Sequence, residues 1–182
     1  MKMLACKLLV ASAMLFVFAR GGYGAEYVAN CPVESVENNV FDASPLVKNS
    51  RISIESGAAE YPLILDFYRP TKGGCKKEEF AQYSVEGGAP TVESVFFINS
   101  DKQPNVVLIV SWNINNRGEG TYGRLYHVYA YHFDESGELV ENKRISEDGA
   151  MTGIEGYVEG RESRFRYRTA LDVKKYLRRK HR

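Results

Sequence analysis

The sequence predicts a mainly β or α+β fold, an antiparallel meander sheet with one C-terminal amphipathic helix packed on it. Three observations carry that reading. Residues 105–146 hold runs of β-branched and aromatic residues separated by short turn-rich joints, and joints that short cannot carry a parallel crossover. Val106-Val107-Leu108-Ile109-Val110-Ser111-Trp112 is apolar on both faces, as a strand covered on both sides of a sheet must be. Residues 169–180 show helical spacing, with Ala170, Val173, Tyr176 and Leu177 on one stripe.

The chain opens with Lys2 and Lys7, then an apolar run over residues 8–19. Gly22-Tyr23-Gly24 follows, offering the small residues that a signal peptidase reads. Residues 1–25 are expected to be a Sec-type signal peptide, with cleavage near Gly24-Ala25. The run is shorter than the roughly 20 residues of a membrane span. Cys6 precedes it instead of ending it, unlike a lipoprotein cysteine. A signal this short suits a bacterium, so the expected location is periplasmic or secreted. Residues 26–182 then form a single exported domain, long enough for one core.

Export leaves two cysteines, Cys31 and Cys75, which are expected to pair in an oxidising compartment. The bridge would close a loop of over forty residues. In the chain-entropy model that is worth about 4 kcal/mol.

Further elements follow in order. Residues 27–31 read as a short strand interrupted by Pro32. Arg51-Ile52-Ser53-Ile54-Glu55 alternates as a strand with one wet face should. Residues 61–68 are a strand ended by Arg69-Pro70 and the glycines beyond. Residues 76–82 are expected to make a short helical turn. Residues 92–99, 105–113, 123–133 and 138–146 form the central sheet, and residues 165–167 a last edge strand. Thr169 and Asp172 make a capping box with Asp in place of Glu, and the basic helix end suits the dipole.

Charge narrows the function. After the signal, the chain has 21 basic and 23 acidic side chains, and six of the basic ones fall in the last nine residues. An acidic body with a basic tail is not a nucleic-acid footprint. Gly118-Glu119-Gly120-Thr121-Tyr122-Gly123 spells GxGxxG, but strands flank it on both sides, so no helix N-terminus meets a pyrophosphate. His127 and His132 fall on opposite faces of one strand and cannot share a metal. His127 is expected to pack among aromatics, and His181 to lie on the tail. No GxSxG elbow or SxxK pattern is present. No cofactor, metal site or catalytic residue is expected.

Two polar loops remain. Residues 113–122 read as a hairpin joint long enough to be functional. It carries Asn115, Asn116, Arg117, Glu119 and Tyr122, with Trp112 at its base, a mixture suited to protein contacts. Residues 147–162 read as an acidic Gly-rich loop, with Glu147, Asp148, Glu155, Tyr157 and Glu159 as candidate contacts for a basic partner. The abundance of Tyr favours binding surfaces. Ser56-Gly57-Ala58-Ala59-Glu60-Tyr61 resembles the Ser-Gly-rich loop ending in Tyr that periplasmic lysozyme inhibitors insert into their enzyme. That likeness spans six residues, and no membership of the family follows from it.

The expected function is a non-enzymatic periplasmic inhibitor or immunity protein. Its polar loops would occlude a basic secreted toxin or cell-wall hydrolase. The alternatives are a hydrolase using carboxylates or His132 with Glu135, and an envelope module whose basic tail touches anionic lipid. The oligomeric state is left open.

Overall fold

The structure, a computed structural model, describes residues 25–100 and 102–180. The expected signal peptide, apart from Ala25, and His181 lie outside the described residues. Among these residues no helix is long and apolar enough to cross a membrane.

The fold is mainly antiparallel β, as expected, with a C-terminal helix. The first sheet comprises β1 (Glu26–Val28), β2 (Val40–Asp42), β3 (Arg51–Ser56), β4 (Leu63–Thr71) and β5 (Gly74–Tyr83). Its spatial order is β1-β5-β4-β3-β2. The second sheet contains β6 (Thr91–Ser100), β7 (Gln103–Asn116), β8 (Thr121–Phe133), β10 (Thr152–Val158) and β11 (Arg161–Ser163), in the order β11-β10-β8-β7-β6. The short β9 (Leu139–Glu141) also pairs with β8. α1 (Lys143–Ser146) and α2 (Ala170–Lys180) complete the chain.

β7 is the centre of the molecule, for the reason its sequence suggests. Side chains alternate across a strand. Val106, Leu108, Val110 and Trp112 join Ile52, Leu65, Phe67 and Tyr83 in the core between the sheets. Val107 and Ile109 face the other way, into a second core with Ile145, Met151, Phe165, Val173 and Leu177. Sheet, sheet and helix thus stack as three layers, with both faces of β7 dry.

The Cys31–Cys75 disulfide is present and ties the segment after β1 to the start of β5. The α2 cap is also as expected. Thr169 Oγ1 accepts from the Asp172 amide at 3.3 Å and donates to the Asp172 carboxylate at 2.6 Å.

Five elements differ from the sequence reading. Residues 76–82 are part of β5, not a helical turn. Their charges pair at strand period: Lys76 with Glu78 on one face, and Lys77 with Asp66 on the other. The register slips beside Asp66, which leaves Phe80 as a bulge residue that still reaches the core. β4 also runs through Pro70, pairing it with Cys75.

The strand expected over 138–146 stops at Glu141, and α1 follows. This turn drives Ile145 into the second core and fills the gap in β8's outer edge between β9 and β10. Asn142 N donates to Ala130 O at 2.7 Å, and Ala130 N donates to Ser146 Oγ at 3.1 Å. A helical turn thus does the work of the missing ladder. Residues 165–167 are not a strand. The last strand is β11, and Phe165 (5 % exposed) instead stacks on Tyr126. Finally, residues 147–162 are mostly ordered as β10 and β11, not as a solvated loop.

Candidate binding tip of the second sheet

Residues 113–122 are not a long loop. The β7–β8 ladder continues to Asn116 opposite Thr121, leaving a tight connection with a 3₁₀ turn over Arg117–Glu119. Gly120 closes it at φ 69°, a conformation glycine takes without steric cost. Beside it lies the β10–β11 turn, where Glu159 and Gly160 both have positive φ. The turns are bonded together: Gly160 N donates to Gly120 O at 3.0 Å, and Glu159 N donates to Thr121 Oγ1 at 3.2 Å.

This brings two distant candidate segments onto one surface. Tyr122 and Tyr157 sit opposite each other in the β8–β10 ladder, and their rings stack at 4.8 Å. The Arg117 guanidinium lies 4.7 Å from the Tyr122 ring. Arg117 Nε donates to Asn115 Oδ1 at 3.2 Å, and Asn116 Nδ2 donates to Glu119 Oε2 at 2.6 Å. Such stacking contributes about 0.5–1.5 kcal/mol, and an exposed cation–π contact about 0.5–1 kcal/mol. The side chains are therefore held in place by one another. Tyr157 and Val158 remain 39 % and 37 % exposed.

A pair of glycines makes this stack possible. Gly123 and Gly156 face each other across the ladder with φ of 133° and 148°. A Cβ on Gly123 would lie 2.3 Å from Glu155 O, and one on Gly156 would lie 2.3 Å from Tyr122 O. The two strands approach closely here, which sets the neighbouring tyrosines face to face.

Other candidates lie elsewhere. Trp112 is 2 % exposed and donates from its ring nitrogen to Ser84 O at 2.9 Å. It continues the inward alternation of β7 and offers no surface to a partner. The acids of residues 147–162 are mostly engaged. Glu147 pairs with Lys143, Glu155 with Arg168, Glu162 with Arg164, and Asp148 with Lys180. Asp148 also caps the 3₁₀ turn at Gly149–Met151 and accepts from Tyr176 Oη at 2.8 Å. Burial raises its pKa, but the hydrogen bonds from Lys180, Ala150 and Tyr176 outweigh that and hold the carboxyl below its usual range. Glu155 accepts from Phe165 N at 2.8 Å. Of these five, only Glu159 lacks an ion pair among the described residues.

His127 stacks on Tyr129 at 4.1 Å, with Nε2 2.9 Å from Ser146 O, so it does sit among aromatics. His132 Nδ1 is buried without a hydrogen-bond partner, and no bond among the described residues joins it to Glu135. Among the described residues no three His, Cys, Asp or Glu side chains are grouped to hold a metal. The Ser56–Tyr61 hexapeptide closes the β3–β4 hairpin, where Gly57 N donates to Pro62 O at 3.1 Å. Tyr83, opposite Leu63 beside that hairpin, packs on Trp112 at 6.3 Å. The hairpin therefore projects from the same end of the molecule as the tip.

One cluster escaped the sequence reading. Ser53, Glu55, Asp66, Tyr68 and Lys77 meet on the outer face of the first sheet. Tyr68 Oη and Ser53 Oγ both donate to Glu55, while Lys77 Nζ lies 3.1 Å from Asp66 Oδ2. The Asp66 side chain is only 3 % exposed, and burial raises its pKa against the pull of Lys77. Burial also raises the pKa of the adjoining Glu79. The available signal was an Asp inside the apolar run Leu63-Ile64-Leu65-Asp66-Phe67, beside a Lys-rich segment misread as helical.

No family model matches this chain, and neither the curated proteins nor the solved structures contain a match to it.

Proposed function

We propose that the protein is an exported, non-enzymatic inhibitor or immunity protein that binds another protein through the tip of its second sheet. The observation that carries this is the Arg117–Tyr122–Tyr157 stack. Residues from two separate hairpins form one pre-ordered, part-exposed aromatic surface, rimmed by Asn115, Asn116, Glu119 and Glu159. Aromatic and Arg side chains held rigid lose little entropy on binding, and such residues dominate interface energetics. The β3–β4 hairpin at the same end widens the face. The disulfide agrees with an oxidising compartment, and the amino-terminal pattern with secretion.

The partner is a secreted toxin or cell-wall hydrolase. Since most acids of residues 147–162 are already ion-paired, recognition rests on aromatic and amide contacts more than on a basic partner surface. The test is capture from periplasmic extract with immobilised protein, beside Tyr157→Ser and Arg117→Glu. Wild type should retain one enzyme or toxin and reduce its activity, and each variant should weaken retention at least tenfold. Equal retention by both variants, or capture of nothing, rejects this reading.

A further inference from the structure

A second surface lies at the opposite end of β7. That strand is 14 residues long. At about 3.3 Å per residue, its β6-linked end is roughly 40 Å from the tip. Here a groove of about 680 Å³ is lined by Pro45, by Phe97 to Ser100 of β6, by Lys102 and Pro104, and by Lys174, Leu177 and Arg178. Its size is in the range of sites that enclose a ligand.

The lining shows where the groove runs. Successive residues of a strand point to opposite faces. A groove touching four consecutive residues of β6 therefore lies along the strand's edge, not on either face. β6 is an outer strand of the second sheet. No backbone hydrogen bond beyond its ladder with β7 involves residues 91–99 among the described residues. Alternate residues of an antiparallel strand bond its neighbour, so the others leave N–H and C=O groups open along this edge. Pro45 stands on the side of the first sheet, and α2 on the other.

Its charge is of one sign. Lys102, Lys174 and Arg178 line it, and no carboxylate does among the described residues. None of the three enters an ion pair among the described residues, although Lys76 and Lys77 of β5 and Lys180 of α2 do. Lys174 Nζ rests 5.2 Å from the Phe96 ring. Lysines on an edge strand discourage pairing with neutral strands. They do not discourage a strand that brings carboxylates.

We propose that this groove binds an extended acidic peptide segment, which adds to the β6 edge as a further strand. The outward backbone groups of alternate residues in 97–99 give the pairing, the part-buried side chains of Phe97 and Ile98 give contact area, and the three cations select carboxylates. Strand addition draws on main-chain bonds for affinity and on side-chain sites for choice of partner. An acyl chain would cover the apolar lining but leave the strand edge unpaired, which disfavours a lipid. The inference stands apart from the tip and does not rest on it.

The experiment uses intact disulfide-bonded protein and a panel of fluorescent ten-residue peptides alternating Glu or Asp with Val, Thr or Tyr. Anisotropy should give saturable binding, with Kd below about 1 mM for at least one peptide. The Lys174→Glu/Arg178→Glu double variant should weaken it at least tenfold, with the far-UV spectrum unchanged. N-methylation of the peptide on alternate residues should do the same in one phase of alternation and not in the other. Lys-for-Glu peptides should not bind. Tip-dependent capture should survive the double variant. The proposal is overturned if no peptide binds, if the charge variant binds equally, if the two phases of N-methylation act alike, or if dodecyl phosphate binds at this site in place of the peptides.

Discussion

Replacing Lys77 by Met should destabilise the protein strongly at neutral pH and much less in acid. Lys77 Nζ is 3.1 Å from Asp66 Oδ2, and the two side chains are 24 % and 3 % exposed. At an effective dielectric of about 20, the attraction across that distance is about 5 kcal/mol before desolvation. Methionine fills similar volume but supplies no charge, so Asp66 is left buried and uncompensated. Losing one partner of a buried pair costs about 3–5 kcal/mol. The carboxyl escapes part of that by taking up a proton, which sets the pH dependence.

In the wild type, burial already holds the Asp66 pKa above its ordinary value, with Lys77 opposing it. A carboxyl whose folded pKa is raised favours folding most when protonated. Stability contributed by this group is therefore present below its unfolded pKa and lost as pH climbs through the folded one. Without Lys77 the folded pKa rises further, so the loss extends to higher pH and grows larger. Urea denaturation followed by Trp112 fluorescence at pH 4.5 and 7.5 measures this. The loss relative to wild type should be about 3 kcal/mol or more at pH 7.5, and less than half that at pH 4.5. Adding Asp66→Leu to Lys77→Met should restore most of it. A loss under about 1 kcal/mol, or an equal loss at both pH values, would refute the argument.

Three other perturbations probe the rest of the frame. Gly123→Ala forces a side chain into a positive-φ position 2.3 Å from Glu155 O, so it should cost about 2–4 kcal/mol and alter the near-ultraviolet signal of the Tyr122–Tyr157 stack; wild-type stability would reject the close approach. Cys31→Ser/Cys75→Ser opens a loop of 44-residue separation and should lower unfolding free energy by about 4 kcal/mol in urea, the same loss that reductant causes in wild type. Asp148→Asn removes a carboxylate held low by Lys180, Ala150 and Tyr176, and that contribution is present above the unfolded pKa and lost as pH falls through the folded one. The variant should therefore lose about 1–2 kcal/mol at pH 7 and converge on wild type near pH 2, as read by thermal melts.

What could be read in advance, and what could not, divides along the range of the interactions. β7 was legible because its two dry faces are written locally, in a run of apolar residues too short and too β-branched for anything else. The α2 cap was legible because Thr169 and Asp172 are three apart. β5 was misread because Lys76 pairs with Glu78 at strand period, and Asp66, the buried counterpart of Lys77, is invisible to a window centred on residue 78. The acid-rich stretch after residue 146 was misread in the same manner. Its balancing cations are Lys143, Arg164, Arg168 and Lys180, from before and after the window. A local count of charge describes a loop only when nothing distant folds onto it.

The glycines carry the converse lesson. Gly153, Gly156 and Gly160 fall in the stretch that reads as a Gly-rich loop, and Gly120 and Gly123 in the GxGxxG pattern before the next strand. Instead, Gly123 and Gly156 mark where two strands come too close for any Cβ, and Gly153 makes room for the Phe165 ring, 2.8 Å from where its own Cβ would stand. Flexibility in the unfolded chain and close contact in the folded one call for the same residue. That distinction decides what the tip can do. A loose loop would lose entropy on meeting a partner, whereas Arg117, Tyr122 and Tyr157 are already stacked on a ladder that glycine alone permits. If the tip binds a partner as proposed, Gly156→Ala should weaken that binding without touching any contacting side chain. If the variant folds, keeps a separated tyrosine pair and binds as tightly as wild type, the tip is not working as a pre-ordered surface.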